Sequence, residues 1–235
     1  MKYIISTMLL LLVFFSCKPI TERMEDYAVH GIDVSHYQSH IDWDKVASQN
    51  IAFSFIKASE GETLIDSLFA FNWQELQRVG IRRGAYHFFR ANIDGQQQAQ
   101  HYIQQVSMTD GDLPPVLDVE TIDGVSPKEL RTQMQTWLDI IETHYRIRPI
   151  IYTNLKFYYR YLAGHFDQYP IWLARYSKQK PEIAGNTWHF WQYGNRGRVA
   201  GIEGDVDLNV FHGSLEELNY LCLPKPDAVL TSFPQ

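Results

Sequence analysis

The sequence predicts an α/β fold, a single irregular TIM-like barrel of eight strands and five helices, (β/α)5(β)3. Three observations predict it. Short apolar runs alternate with amphipathic ones, the pattern of βα units wound around a parallel sheet. The helical half of that alternation stops after the sixth apolar run, where Pro181 and Gly185 break one link and four glycines fall within residues 194–205. Polar side chains gather at the carboxyl ends of the apolar runs, where a parallel barrel builds its site.

In chain order, strands are expected at residues 29–34, 52–58, 84–89, 115–120, 149–153, 171–175, 188–193 and 206–211. A helix fits at about 42–48 between the first two. Phe69, Trp73 and Leu76 give the apolar stripe of the next, and Ala99, Tyr102, Ile103 and Val106 recur at i, i+3, i+4 and i+7 in the third. The fourth starts at Ser126-Pro127-Lys128-Glu129, with Ser as N-cap, Pro at N1 and Glu completing a capping box, and buries Leu130, Met134, Trp137 and Ile141. The fifth spans residues 155–163, capped by Asn154 and stopped by Gly164.

The chain of 235 residues, 45% hydrophobic, is long enough to bury the core of one such domain, expected over residues 27–222, with a tether at 18–26 and an extended tail at 223–235. A monomer is expected. Formal net charge is −6 and the basic residues are scattered, which argues against nucleic acid as a partner. The pairs Arg82-Arg83 and Arg146 with Arg148 read as solvated element ends.

Residues 1–17 read as an export signal: Lys2 is the positive region, Ile4 to Phe15 the apolar region, and Ser16-Cys17 follows directly. A small residue before Cys resembles a bacterial lipobox, so Cys17 is the expected lipid attachment point, although Phe14 stands where Leu is usual. The expected location is therefore the cell envelope of a bacterium, as an exported lipoprotein held to the membrane through its anchor. With Cys17 acylated only Cys222 remains, which excludes a disulfide and leaves a small buried hydrophobe flanked by Leu221 and Leu223.

Asp33, Lys57, His87, Asp118 with Glu120, Tyr152 with Asn154, Arg175, Gln192 and Asp207 all fall at or near the mouth of the expected barrel. His36 joins them there. Asp118 and Glu120, at i and i+2, share one side of their strand with Cα atoms roughly 6.6 Å apart. Glycoside hydrolysis needs such a pair, a proton donor and a second carboxylate, but a lone D-x-E is equally an Asp paired with Lys57 or Arg175 and a Glu capping the next element. The nine histidines show no zinc spacing, and no G-x-S-x-G or phosphate loop occurs, so neither metal nor cofactor is expected.

From Gly31 to Phe211 the chain resembles the family 25 glycoside hydrolases, lysozymes that cleave after N-acetylmuramic acid. The motifs that carry the resemblance are G-I-D-V-S-H-Y-Q at 31–38 with I-D-W at 41–43, F-S-F-I-K-A-S-E-G at 53–61, G-A-Y-H-F-F at 84–89 and L-P-P-V-L-D-V-E at 113–120. P-I-I-Y-T-N at 149–154, Y-P-I-W-L-A-R-Y at 169–176, W-Q-Y at 191–193 and V-D-L-N-V-F at 206–211 complete them. The resemblance implies a barrel of five helices and eight strands acting on peptidoglycan glycan strands. It implies Glu120 as the acid, Asp118 as its partner, and Asp33 and Asp207 as flanking carboxylates. It also implies retention assisted by the substrate's acetamido group, which the D-x-E spacing alone does not decide. Burial and crowding of four acids would keep Glu120 protonated. Tyr37, Lys57, Tyr86, Phe88, Tyr152, Trp172, Arg175 and Gln192 lie in the matching motifs and would bind sugar rings. Two other readings remain at this point. A glycan-binding barrel without turnover is opposed by the intact acids, and an amidase or peptidase by the missing zinc triad or activated Cys.

Overall fold

The computed structural model describes residues 24–223 except Asn186. The expected signal, Cys17, most of the tether and the tail beyond residue 223 lie outside the described residues. Among the described residues, nine strands form one sheet that closes on itself. Strands β1 (Val29–Val34) and β9 (Val206–Phe211) begin and end as the alternation predicts. Between them run β2 (Phe53–Glu60), the two-residue β3 (Leu64–Ile65), β4 (Arg82–Phe88), β5 (Val116–Asp118), β6 (Ile150–Asn154), β7 (Ile171–Ala174) and β8 (Phe190–Gly197). β3, which has no apolar periodicity to mark it, folds back antiparallel on the end of β2.

Apart from the β3 hairpin, neighbouring strands from β1 through β8 are parallel, but β9 is antiparallel to both β8 and β1 and closes the barrel. The expectation of a parallel sheet fails at this strand for a physical reason. A parallel partner needs a crossover of a dozen or more residues, and only residues 198–205 separate β8 from β9. The chain can only turn back. Asp207, near the start of β9, therefore sits opposite Asp33, near the end of β1, at the same end of the barrel.

The helices are α1 (Trp43–Ala47), α2 (Phe69–Val79), α3 (Gly95–Gln105), α4 (Pro127–Tyr145) and α5 (Leu155–Phe157), the last running into a π turn over Tyr158–Leu162. Ser126 accepts from Glu129 N at 3.1 Å, as the N-cap pattern predicts, and Pro127 takes N1. The Glu129 carboxylate instead accepts from Gln133 Nε2 at 2.8 Å along the helix, so the reciprocal half of that capping box is not made. A sixth helix, α6 (Leu215–Leu221), was not expected; Ser214 and Glu217 form a complete capping box at its start.

Two apolar layers result. The barrel interior holds Phe53, Phe55, Trp172 and Phe190, closed below by Leu218 of α6 and by Cys222, whose Sγ lies 3.4 Å from Leu218 O. Gly31 and Gly84 make room there, since a Cβ at either would meet the ring of Phe53 or Phe55 at 2.4 or 2.6 Å. The helices pack outside on Ile32, Leu117, Ile151 and Leu173, with Trp43, Trp137 and Tyr102 among their buried contributions. Arg83 is not a solvated end: it is buried, with Nε 2.7 Å from Asp112 Oδ1 and its guanidinium 4.0 Å from the Trp73 ring. A buried guanidinium needs such a partner, and Asp112 is distant enough in sequence to be invisible to local reading.

Candidate active site

Side chains alternate along a strand, so each strand aims every second residue into the barrel mouth. There a cavity of about 260 Å³ is lined by Asp33, Tyr37, Lys57, Tyr86, Phe88, Asp118, Glu120, Tyr152, Trp172, Gln192 and Asp207. Of the mouth residues named from the sequence, Arg175, His87, Asn154 and His36 are not part of its lining, and the others are. Arg175 follows the end of β7 on the other parity from Trp172 and Ala174, and its guanidinium donates to Lys180 O at 3.0 Å. Tyr176, one residue on, lines the cavity in its place. His87 is likewise turned outward between Tyr86 and Phe88. It lies 2.9 Å from Ser59 Oγ and 3.1 Å from Gln98 Oε1, stacked against Trp137, and burial pushes its pKa down to about 3, which leaves it neutral. Asn154 caps α5 through Phe157 N at 2.9 Å.

The protein treats the four acids differently. Asp33 is buried and accepts from Gln192 Nε2 on both oxygens, at 2.9 and 3.1 Å, and from Asn209 Nδ2 at 2.6 Å. Those two amides are themselves oriented. Gln192 Oε1 accepts from Tyr152 and Tyr176 hydroxyls at 2.9 and 3.1 Å, and Asn209 Oδ1 accepts from Trp172 Nε1 at 2.8 Å. The whole network thus donates toward Asp33. Asn209 and Tyr176 are functional candidates that the sequence reading missed, although Asn209 shares the parity of Asp207 and Tyr176 that of Trp172.

Asp118 has the opposite environment. It ends β5, is 5% exposed, and its Oδ1 is buried with no hydrogen-bond partner. Burial first, then Glu120 and Asp33, hold its carboxyl well above the usual range, against the opposing charge of Lys57. Glu120 lies two residues beyond, past the strand end rather than within it, and burial raises its carboxyl. Burial also raises Asp33 and Asp207, with Asp33 and Glu120 adding to the rise of Asp207. Because the amides favour ionised Asp33, the proton of that pair rests on Asp207. Asp207, pushed up to about 8, therefore holds a proton near neutral pH beside Asp33, the carboxylate that the protein itself supplies with donors.

Lys57 completes the wall: Nζ is 2.6 Å from Glu60 Oε2 and 5.2 Å from the centre of the Phe88 ring. Arg90 reaches the same Glu60, and its guanidinium carbon lies 4.7 Å from the centre of the same Phe88 ring. Among the described residues no group of three or more His, Cys, Asp or Glu is arranged to hold a metal ion. A larger cavity, about 660 Å³, opens at the opposite end around Arg82, Asp110 and Leu223, but it gathers one structural ion pair rather than a set of convergent acids.

Comparison with known proteins gives concordant results. Residues 32–202 match the family described as Glycosyl hydrolases family 25. The chain is 46% identical over 197 residues to the uncharacterized protein YegX of Escherichia coli K12, covering 82% of this chain and 72% of YegX. It is 38% identical over 205 residues to Lysozyme M1 of Streptomyces globisporus, covering 81% of this chain and 70% of that one. A family 25 glycosyl hydrolase structure from Bacillus anthracis superposes with a TM-score of 0.81 at 34% identity, covering 87% of this chain and 98% of that one.

Proposed function

Since the chain belongs to the glycosyl hydrolases of family 25, we propose that it is a peptidoglycan hydrolase, cleaving the β-1,4 bond from N-acetylmuramic acid to N-acetylglucosamine. The observation that carries this reading is the convergence of Asp33, Asp118, Glu120 and Asp207 on one cavity walled by aromatic rings. Protonated Glu120 gives its proton to the glycosidic oxygen as the C1–O bond breaks. The acetamido oxygen of the muramic residue attacks C1 from the other face and forms a cyclic oxazolinium. Asp118 Oδ1 then accepts from the acetamido N–H, the donor that the protein withholds from it. Glu120, now a carboxylate, takes a proton from water as the water oxygen attacks C1, and the acetamido group is released with configuration retained.

Asp33, held ionised by two oriented amides, and Asp207, holding the shared proton, set the potential around C1 as positive charge develops. Tyr86, Phe88, Tyr152 and Trp172 offer flat faces to the sugars, and Lys57 a cation for an anionic substituent of the muramic residue.

Digestion of purified peptidoglycan, with the new reducing ends identified by mass spectrometry, tests the proposal. N-acetylmuramic acid ends are expected from the wild type and none from Glu120→Gln, which keeps its shape but cannot donate the proton. Ends on N-acetylglucosamine, or freed peptides, would replace this reading. Binding without new ends would make the chain a glycan-binding barrel.

The same proposal includes export and acylation at Cys17, which would place the site at the cell envelope near its substrate. Wild type expressed in a bacterium with lipoprotein processing is expected to take up labelled palmitate and fractionate with membranes, whereas Cys17→Ala is expected to be soluble, unlabelled and active. An unlabelled, soluble wild type leaves an ordinary secretory signal.

A further inference from the structure

Tyr37 lines the cavity yet is 79% exposed, so packing does not account for its ring. The turn that carries it, a single 3₁₀ turn over His36–Gln38, is nevertheless fixed from several sides. Ser35 Oγ accepts from Tyr37 N at 3.3 Å, Gln38 Oε1 from Ser35 N at 3.0 Å, and Gln38 Nε2 donates to Asp205 O at 3.2 Å.

The strongest of these ties belongs to His36. Both its backbone N, at 3.0 Å, and its ring Nδ1, at 2.6 Å, meet Asp66 Oδ2. The Asp66 side chain is fully buried after the β3 hairpin, and its other oxygen accepts from Leu68 N at 3.0 Å, so it cannot swing to another partner. Since the carboxylate accepts, Nδ1 carries the hydrogen. The imidazole so fixed lies against the Tyr37 ring, centres 4.2 Å apart and planes inclined by 35°. His36 is not itself part of the cavity lining. An exposed aromatic ring on an immobilised turn, backed by a second ring anchored to a buried acid, is a preorganised flat surface, and ordering it before a ligand arrives removes that cost from binding.

We propose that His36, anchored by Asp66, is a positioning residue that holds Tyr37 as the stacking wall of a carbohydrate subsite flanking the cleaved bond. This rests on the glycan reading of the cavity. His36 acts through Tyr37 and touches no reacting atom, so its loss is felt in substrate affinity and KM rather than in kcat.

The test is a double-mutant cycle in the Glu120→Gln background, reading the Kd for a tetrasaccharide of alternating N-acetylglucosamine and N-acetylmuramic acid. Tyr37→Ala is expected to weaken binding roughly three- to tenfold and Tyr37→Phe to restore it, since the face and not the hydroxyl is used. His36→Ala should weaken binding by a similar factor, and the pair His36→Ala with Tyr37→Ala no more than Tyr37→Ala alone. His36→Asn, whose amide nitrogen takes the position of Nδ1 and can still donate to Asp66, keeps that tie if the alanine variant folds poorly, and should lose affinity equally. Unchanged binding in Tyr37→Ala overturns the subsite, and additive losses overturn the positioning role. Wild-type turnover of the same tetrasaccharide is scored separately. Absent turnover with intact Tyr37-dependent binding removes the hydrolase reading and leaves this one, whereas absent binding removes both.

Discussion

Asp33 and Asp118 are both buried aspartates on the wall of one cavity, and they differ in what the protein donates to them. Asp33 receives three amide N–H contacts, while Asp118 Oδ1 receives none. A carboxyl oxygen left without donors is poised for a ligand N–H, so under the proposed mechanism its contribution should appear when the acetamido group acquires charge rather than when substrate binds. Asp118→Asn is therefore expected to lower kcat by roughly 10²–10³-fold with substrate affinity close to wild type. Weakened affinity at unchanged kcat would reassign Asp118 to positioning. Much of the site was legible at this scale because parity is a sequence property. Tyr86 and Phe88 face in, and so does the pair Asp207 and Asn209, whereas His87 and Arg175 fall on the outward parity. The motif reading admitted Arg175 and passed over Tyr176 and Asn209 because it followed composition at strand ends without counting alternation through them. His36 stood in the G-I-D-V-S-H-Y-Q motif, but its acceptor Asp66 is thirty residues away and only the fold joins them.

At the level of elements, helix stripes and caps specified position well where they were periodic. Trp137 and its row on α4 are buried as the spacing requires, and Ser126 starts that helix. The β9 reversal was also readable, since eight residues cannot carry a parallel crossover, but it requires counting the link rather than the strands. α6 carried the S-x-x-E capping pattern at Ser214 and Glu217, in a stretch too short for a clear apolar stripe. What no local pattern reveals is how closely two helices approach. At Gly95, which opens α3, an added Cβ would lie 2.2 Å from the backbone oxygen of Gln133 in α4, and a carbonyl inside a helix cannot turn aside as a side chain can. Gly95→Ala should push the helices apart, costing about 1–3 kcal/mol and lowering Tm by roughly 3–10 °C. The exposed neighbouring change Gln96→Ala should leave Tm nearly unmoved, and equal Tm values for both variants would show that the approach relaxes freely.

Across the whole molecule, the acids of the cavity oppose the stability of the barrel that holds them. A carboxyl raised in the folded state contributes stability that is fully present below its unfolded pKa, near 4, and is lost as pH rises through the folded value. The sign follows from proton counts: between those limits the folded chain keeps a proton that the unfolded chain has released, so raising pH favours unfolding. Asp207, pushed up to about 8 by burial and then by Asp33 and Glu120, places that window between about pH 4 and pH 8. With a net charge of −6 the molecule has no general excess of cations to offset the cluster. Asp207→Asn removes the titration while keeping the shape. Its Tm should exceed the wild-type value by little at pH 5 and by several degrees at pH 8, a gain on the order of 1–3 kcal/mol, while the proposed glycan cleavage falls. A gain that is constant across this range, or that shrinks toward pH 8, would mean that Asp207 is ionised throughout and that the shared proton lies elsewhere in the cluster. A gain in stability at a loss of activity is what the proposed site of crowded acids requires, because the same burial that raises the Glu120 carboxyl for the proton transfer we propose is what the fold must overcome.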